Sequence, residues 1–285
     1  MSAPPVVTLD SLERHRDRTF RRLLNRRVTS DRAALAFINE VGFGTAFTAG
    51  IGVPCLREAI EGMREPPLPE HIQHDRAIMM TWNLKDTLAA KRLAYYGKVL
   101  GGRPSFIALD LLGAFLRLRV APGGHRALFE RGMLSQCARL VMDALARQGP
   151  ADTKTLKRLS GYAQPRMRPA FDNAMRELQA HFLAVKIEER YDPFTYVWDT
   201  VARQWPEAIR ESRALSPTAA AYRIVRRHIE VAGFCTERSA ARVLGVEPRF
   251  VAGAIRRLVR ERRAVSGVRL DRISGQHAVL TELLG

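Results

Sequence analysis

The chain has 285 residues, 46% of them hydrophobic and 26% charged, a balance that supports two or three small packed units and excludes a disordered polymer. Forty arginines and six lysines outweigh 29 carboxylates and leave a net charge of +17, a field that concentrates nucleic acid or an anionic membrane surface. Cys55, Cys137 and Cys235 stand far apart, which excludes a disulfide framework and points to free thiols in a reducing compartment.

The opening stretch MSAPPVVTLDS has neither the basic start nor the apolar core of a secretion signal. The greasiest run, Phe106–Leu118, is too short and too interrupted to span a bilayer. A cytoplasmic protein, with no membrane partner, is the expectation. Residues 10–27 read as one long basic helix. Ser30 caps a second, whose Ala34, Phe37, Ile38 and Val41 face inward while Asn39 and Glu40 project away. Gly42, Gly44, Gly50 and Gly52 then form a segment that allows close backbone approach. His71 and His74 lie in a Pro-rich loop without matching ligands, so no metal site is expected. Thr81–Leu100 carries Trp82, Lys85, Asp86, Lys91, Tyr95 and Tyr96 on helix-forming sequence. Aromatics interleaved with bases either stack on an extruded nucleobase or belong to a core.

Two linkers, Val120–Arg126 and Arg213–Thr218, divide the chain into regions 1–125, 126–212 and 213–285. In the second region a helix over Leu134–Gln148 stops at Gly149 and a short one over Thr153–Ser160 stops at Gly161. Pro169 opens a third, with Phe171, Ala174, Met175, Leu178 and Phe182 inward. Leu183, Val185 and Ile187 then alternate with polar neighbours as a half-buried strand does, and Tyr196 and Trp198 mark its return. The third region partly repeats the second. Arg139, Gly149 and Gly161 match Arg223, Gly233 and Gly245 at an offset of 84, and Ala174, Arg176 and Leu178 match Ala254, Arg256 and Leu258 at 80. Three helices followed by a hairpin describe a winged helix. The expected fold is mainly α with small β-hairpins, in tandem winged-helix domains.

In a winged helix the third helix usually enters the major groove. In the third region that helix falls in RFVAGAIRRLVRERRAV, where Val251, Ala254, Ile255, Leu258 and Val259 make one stripe and Arg249, Gly253, Arg256, Arg260 and Arg263 recur on the other side. Like charges at this spacing repel, and a polyanion would relieve them; a solvated face in an arginine-rich sequence is the plainer reading. Arg249, Arg256, Arg257, Arg260 and Arg263 are the candidate phosphate contacts, with Arg166, Arg168 and Arg176 a second group. The expected partner is double-stranded DNA.

The stretches ALAFINEVGF, WNLKDTLAAKRLAYYGKVL, RPAFDNAMRELQAHFLAVKI and YVWDTVARQWPEAI together resemble the AlkZ-like winged-helix proteins, in particular the AlkZ-related branch, from about Asp31 to Ile209. The resemblance implies tandem winged helices cradling duplex DNA. In the founding branch it implies DNA glycosylase activity on alkylated or crosslinked bases, without metal or cofactor. That branch carries a Gln-x-Gln or Gln-x-Asp pair early in the chain. Here the matching helix reads FINEVGF, with Asn39 and Glu40 adjacent and so about 100° apart on a helix. A carboxylate can stabilise oxocarbenium character on a sugar, so Glu40, with Asn39 placing the water, is the candidate catalytic pair. The other reading is that both are helix-end polar residues, Glu40 paired with an arginine. Two rivals in function remain: a non-catalytic transcriptional regulator and a protein-interaction scaffold.

Overall fold

In the computed structural model, which describes residues 6–120 and 123–284, the chain opens with β1 (Val6–Val7) and α1 (Leu9–Thr19). A first series follows: α2 (Asp31–Val41), β2 (Phe43–Thr45), α3 (Leu56–Glu61), α4 (Arg76–Ala90), β3 (Tyr95–Leu100) and β4 (Arg103–Ile107). Helices α5 (Leu109–Arg119) and α6 (Gly124–Glu130) lead to a second: α7 (Gln136–Gln148), β5 (Ala151–Asp152), α8 (Thr153–Ser160), α9 (Arg168–Ala180), β6 (Ala184–Tyr191) and β7 (Phe194–Thr200). After α10 (Val201–Gln204) and α11 (Pro206–Ala214) comes a third: α12 (Pro217–Ala232), β8 (Phe234–Cys235), α13 (Glu237–Leu244), α14 (Pro248–Arg260), β9 (Ala264–Leu270) and β10 (Ile273–Leu280). The molecule is mainly helical with small sheets.

One element order therefore occurs three times: helix, short strand, two helices, hairpin. The sheets agree, running β2-β4-β3, β5-β7-β6 and β8-β10-β9, with β1 added in parallel beside β9 in the last. The sequence explains the recurrence at the helix ends. The hydroxyls of Ser30, Ser135 and Ser216 accept the N–H groups of Ala33, Ala138 and Ala219 at 3.1–3.2 Å and start each first helix. Gly42, Gly149 and Gly233 end those helices at φ 80°, 86° and 82°, a region that side chains avoid and glycine enters freely. The third helices end differently. Arg92, Phe182 and Arg262 follow α4, α9 and α14 at φ 56°, 52° and 57°, and each turns its chain into a hairpin.

The three series share a core. Phe43 and Tyr95 from the first, Phe182 from the second, and Ile224 and Leu258 from the third belong to one buried cluster with Phe115 of α5 and with Trp205 between α10 and α11. Helix α5 packs against both α11 and α12, which explains why Phe106–Leu118 is so apolar without spanning a membrane. Among the described residues no helix is long and apolar enough to cross one. Helix α1 serves the third series. Its His15 ring, Arg16 Nε and Thr19 hydroxyl meet the carbonyls of Glu230, Ala232 and Val231 at 3.0, 3.0 and 2.7 Å, satisfying last-turn acceptors that α12 leaves open.

Several local readings change. The expected helix over 10–27 stops at Thr19, because Phe20 plunges into the core at 1% exposure and Arg21 reverses the chain at φ 57°. Thr81–Leu100 is helical only to Ala90; Tyr95 and Tyr96 lie on β3. Tyr95 is fully buried, 4.9 Å from Phe182 and 5.6 Å from Trp205 between ring centres, so the core reading holds for it. In β6 the alternation fails at the start: Ala184 and Val185 are both buried, and a bulge follows between Lys186 and Glu188. Of the expected linker Val120–Arg126, Ala121 and Pro122 lie outside the described residues, as do the first five residues of the opening stretch.

Candidate nucleic-acid interface

Helix α14 buries Val251, Ala254, Ile255 and Leu258, as its stripe requires, and it packs mainly on α12, α13 and β9 of its own series. The opposite side is open. Arg249, Arg256, Arg257 and Arg260 are all exposed there. Arg263 leaves the row, because the helix ends at Arg260 and Arg262 turns at φ 57°. The five guanidiniums also differ in freedom. Arg249 pairs with Glu247 at 2.8 Å, Arg257 with Glu261 at 2.8 Å, and Arg263 with Glu230 at 3.3 Å. Arg257 lies 3.9 Å above the Tyr222 ring, and the Tyr222 hydroxyl donates to Glu261. Arg256 and Arg260 have no carboxylate within 4 Å among the described residues. Gly253 lies one turn before Arg256, and a Cβ there would meet only Arg256 Nη2, at 3.9 Å. The adjoining hairpin adds Arg269 and Arg272, both exposed.

The second group is thinner. Arg166 is exposed before α9, Arg168 sits 3.6 Å from Asp172, and Arg176 Nε donates to the Asp172 carbonyl at 3.4 Å. Helix α9 also packs against β3, and α4 against β6, so the third helices of the first two series each lie on the other's hairpin. An ion cluster locks that interface. Lys85 Nζ reaches Asp86 and Glu189 at 2.7 Å each, and Lys186 Nζ reaches Asp86 at 3.0 Å and also bonds Glu189. The side chains of Lys85, Lys186 and Glu189 are only 13%, 11% and 9% exposed. Burial pulls the Lys85 pKa down, but hydrogen bonds to Asp86 and Glu189 outweigh it and raise the value above the ordinary lysine range.

Asn39 and Glu40 are exposed at the end of α2. The Glu40 carboxylate accepts from Arg21 Nη2 at 2.5 Å, the arrangement anticipated for a helix-end residue. Arg227 Nη1 donates to the backbone carbonyls of Asn39 and Glu40 at 2.9 and 3.0 Å, and its Nη2 reaches Asp110 at 3.2 Å. Arg227 also lines a cleft of about 390 Å³ with Arg223, Arg226, Asp110 and Glu211. A different carboxylate is far better buried: Glu58 on α3, 2% exposed, accepts from Arg22 Nε at 2.7 Å and lines a separate cleft of about 470 Å³ with Glu13, Arg64 and Gly52. Nothing in the spacing singles it out, since its ion-pair partner Arg22 comes from the segment after α1. His71 and His74 stand with ring centres 6.1 Å apart. Among the described residues no three His, Cys, Asp or Glu side chains gather as a metal site requires.

A family model described as AlkZ related matches residues 28–245, which takes in the first two series whole and the start of the third. The chain belongs to the AlkZ-related family. Helix α14 and the last hairpin lie beyond the matched residues. The AlkZ-related chain is also similar in fold to the Streptomyces sahachiroi DNA glycosylase AlkZ, with a TM-score of 0.55 over 99% of this chain and 71% of that one, at 14% identity. No curated protein sequence matches.

Proposed function

We propose that this protein is a tandem winged-helix protein of DNA repair that grips duplex DNA through α14 and the β9–β10 hairpin. The three series are its winged-helix units, divided near residues 125 and 212, and its place is the nucleoid in the cytoplasm. The observation that carries the reading is the outward face of α14, where Arg256 and Arg260 stand, among the described residues, without carboxylate partners beside a bare Gly253. Arg249, Arg257 and Arg263 flank them as phosphate contacts, and Arg166, Arg168 and Arg176 form the weaker second group. Replacing Arg256 and Arg260 together with Ala weakens binding to all duplex sequences alike. It also flattens the salt dependence by about one unit for each phosphate no longer neutralised. An unchanged slope refutes the assignment of this face.

Family membership makes excision of an alkylated base the chemistry to test. A cationic alkylated base leaves with little acid help, so a single carboxylate suffices to steady the developing oxocarbenium ion. In that role Glu40 exchanges Arg21 for the sugar, and Asn39 holds the water. Duplex bearing an N-alkylated purine then acquires abasic sites with the wild-type protein and not with Glu40→Gln. The ion pair of Glu40 with Arg21 favours the second reading, a non-catalytic DNA-binding regulator. That reading predicts no release from any lesion and one sequence bound some 10³-fold tighter than the rest.

A further inference from the structure

A cavity of about 510 Å³ opens in the first unit between α3, α4 and the segment that follows β2. Its walls are mostly apolar, with Arg57 and Glu65 as the charged residues that line it. Phe47 meets Trp82 edge to face at 6.5 Å, and Leu68 and Ile72 are 77% and 41% exposed at its margin. Trp82 itself is 37% exposed, whereas Trp198 and Trp205 are buried. Into this apolar surround α3 sends a cation. Arg57 is 3% exposed and lines the cavity. Its Nη2 donates to the Pro67 carbonyl at 2.6 Å, but its Nε–H finds no acceptor and no carboxylate lies within 4 Å among the described residues. An N–H left unpaired on a buried guanidinium carries a desolvation cost.

We propose that this cavity receives a single nucleobase turned out of the duplex, stacked against Trp82 and read on its acceptor edge by Arg57. The inference rests on the DNA-binding function proposed above. The size suits a small heterocycle, and base–aromatic stacking tolerates any flat ring. The cation narrows the choice. Arginine pairs with O6 and N7 of guanine, so the occupant is a base with an acceptor edge, guanine before adenine.

The test uses the full-length protein and three duplexes: fully paired, and with a lone guanine or a lone adenine opposite a tetrahydrofuran abasic analogue. The wild type is expected to bind the guanine duplex roughly tenfold or more tighter than the paired one, with quenching of the exposed tryptophan. Trp82→Ala removes the preference and the quenching, and Trp82→Phe keeps the preference. Arg57→Met keeps stacking and loses the choice of guanine over adenine. Equal binding of all three duplexes overturns the pocket while leaving duplex binding intact. A preference that survives Trp82→Ala also overturns it. Failure to bind any duplex overturns the DNA-binding function and the pocket together.

Discussion

Helices α9 and α14 occupy the same place in the same element order, yet they are used differently. Helix α9 packs on the hairpin of the first unit, while α4 of that unit packs on β6. The two units thus spend their third helices on each other, around the Lys85–Asp86–Lys186–Glu189 cluster. The third unit docks through its first helix instead. Helix α12 packs on α1 and α5, stacks His228 on Phe43 with ring centres 6.2 Å apart, and clamps the end of α2 through Arg227. Docking by the first helix leaves α14 free. A repeated fold therefore does not imply a repeated function; the packing surface of each copy decides which face remains for a ligand.

Breaking the α4–β6 lock gives the largest expected effect. Glu189→Leu leaves Lys85 and Lys186 to share Asp86 alone and destabilises the protein by about 1–3 kcal/mol in urea unfolding, whereas Arg256→Ala on α14 changes stability by no more than about 0.5 kcal/mol. Equal costs would erase the distinction between the two helices.

The packing of α12 carries its own signature in pH. Burial, with the charge of Arg16 added, pushes His228 down to about 4 from its ordinary 6.5. The neutral ring contributes stability that is fully present above pH 6.5 and is lost as pH falls toward about 4, amounting to about 3 kcal/mol at most. His228→Leu is expected to flatten the fall in melting temperature over that window. The slope that remains belongs to His15, His181 and His277, which burial also lowers, and at the acid end to carboxylates such as Asp143 and Asp152, which hydrogen bonds lower.

Binding separates the helices next. Arg256→Ala with Arg260→Ala lowers duplex affinity more than Arg168→Ala with Arg176→Ala, since Arg168 already faces Asp172. Titrations at two salt concentrations measure both pairs. The smallest effect is the most pointed. Gly253 lies inside a helix with room for a methyl group, so Gly253→Ala stabilises the fold by about 0.5–1 kcal/mol. If a phosphate approaches that backbone, the same variant binds DNA less tightly. A variant both more stable and equally tight would remove the reason offered for the glycine.

Much of the third unit was legible beforehand. Gly233, Gly245 and the Val251–Leu258 stripe each act through local conformation or one helix period, and all appear where expected. The first unit was legible in part: Ser30 and Gly42 bound α2, but the match of Gly42 and Gly62 to Gly149 and Gly161 is hidden in the sequence because 20 residues separate the first pair and 12 the second. The longer interval holds the loop that forms the Gly50–Gly52 segment.

Charge, helix ends and apolar period were thus written in the sequence, because each depends on residues a few positions apart. The freedom of Arg256, the pairing of Glu40 with Arg21, and the burial of Arg57 and Glu58 were decided by the tertiary structure. Each depends on which distant element packs alongside, as Arg22 does beside Glu58 across 36 positions, and no local pattern encodes that neighbour.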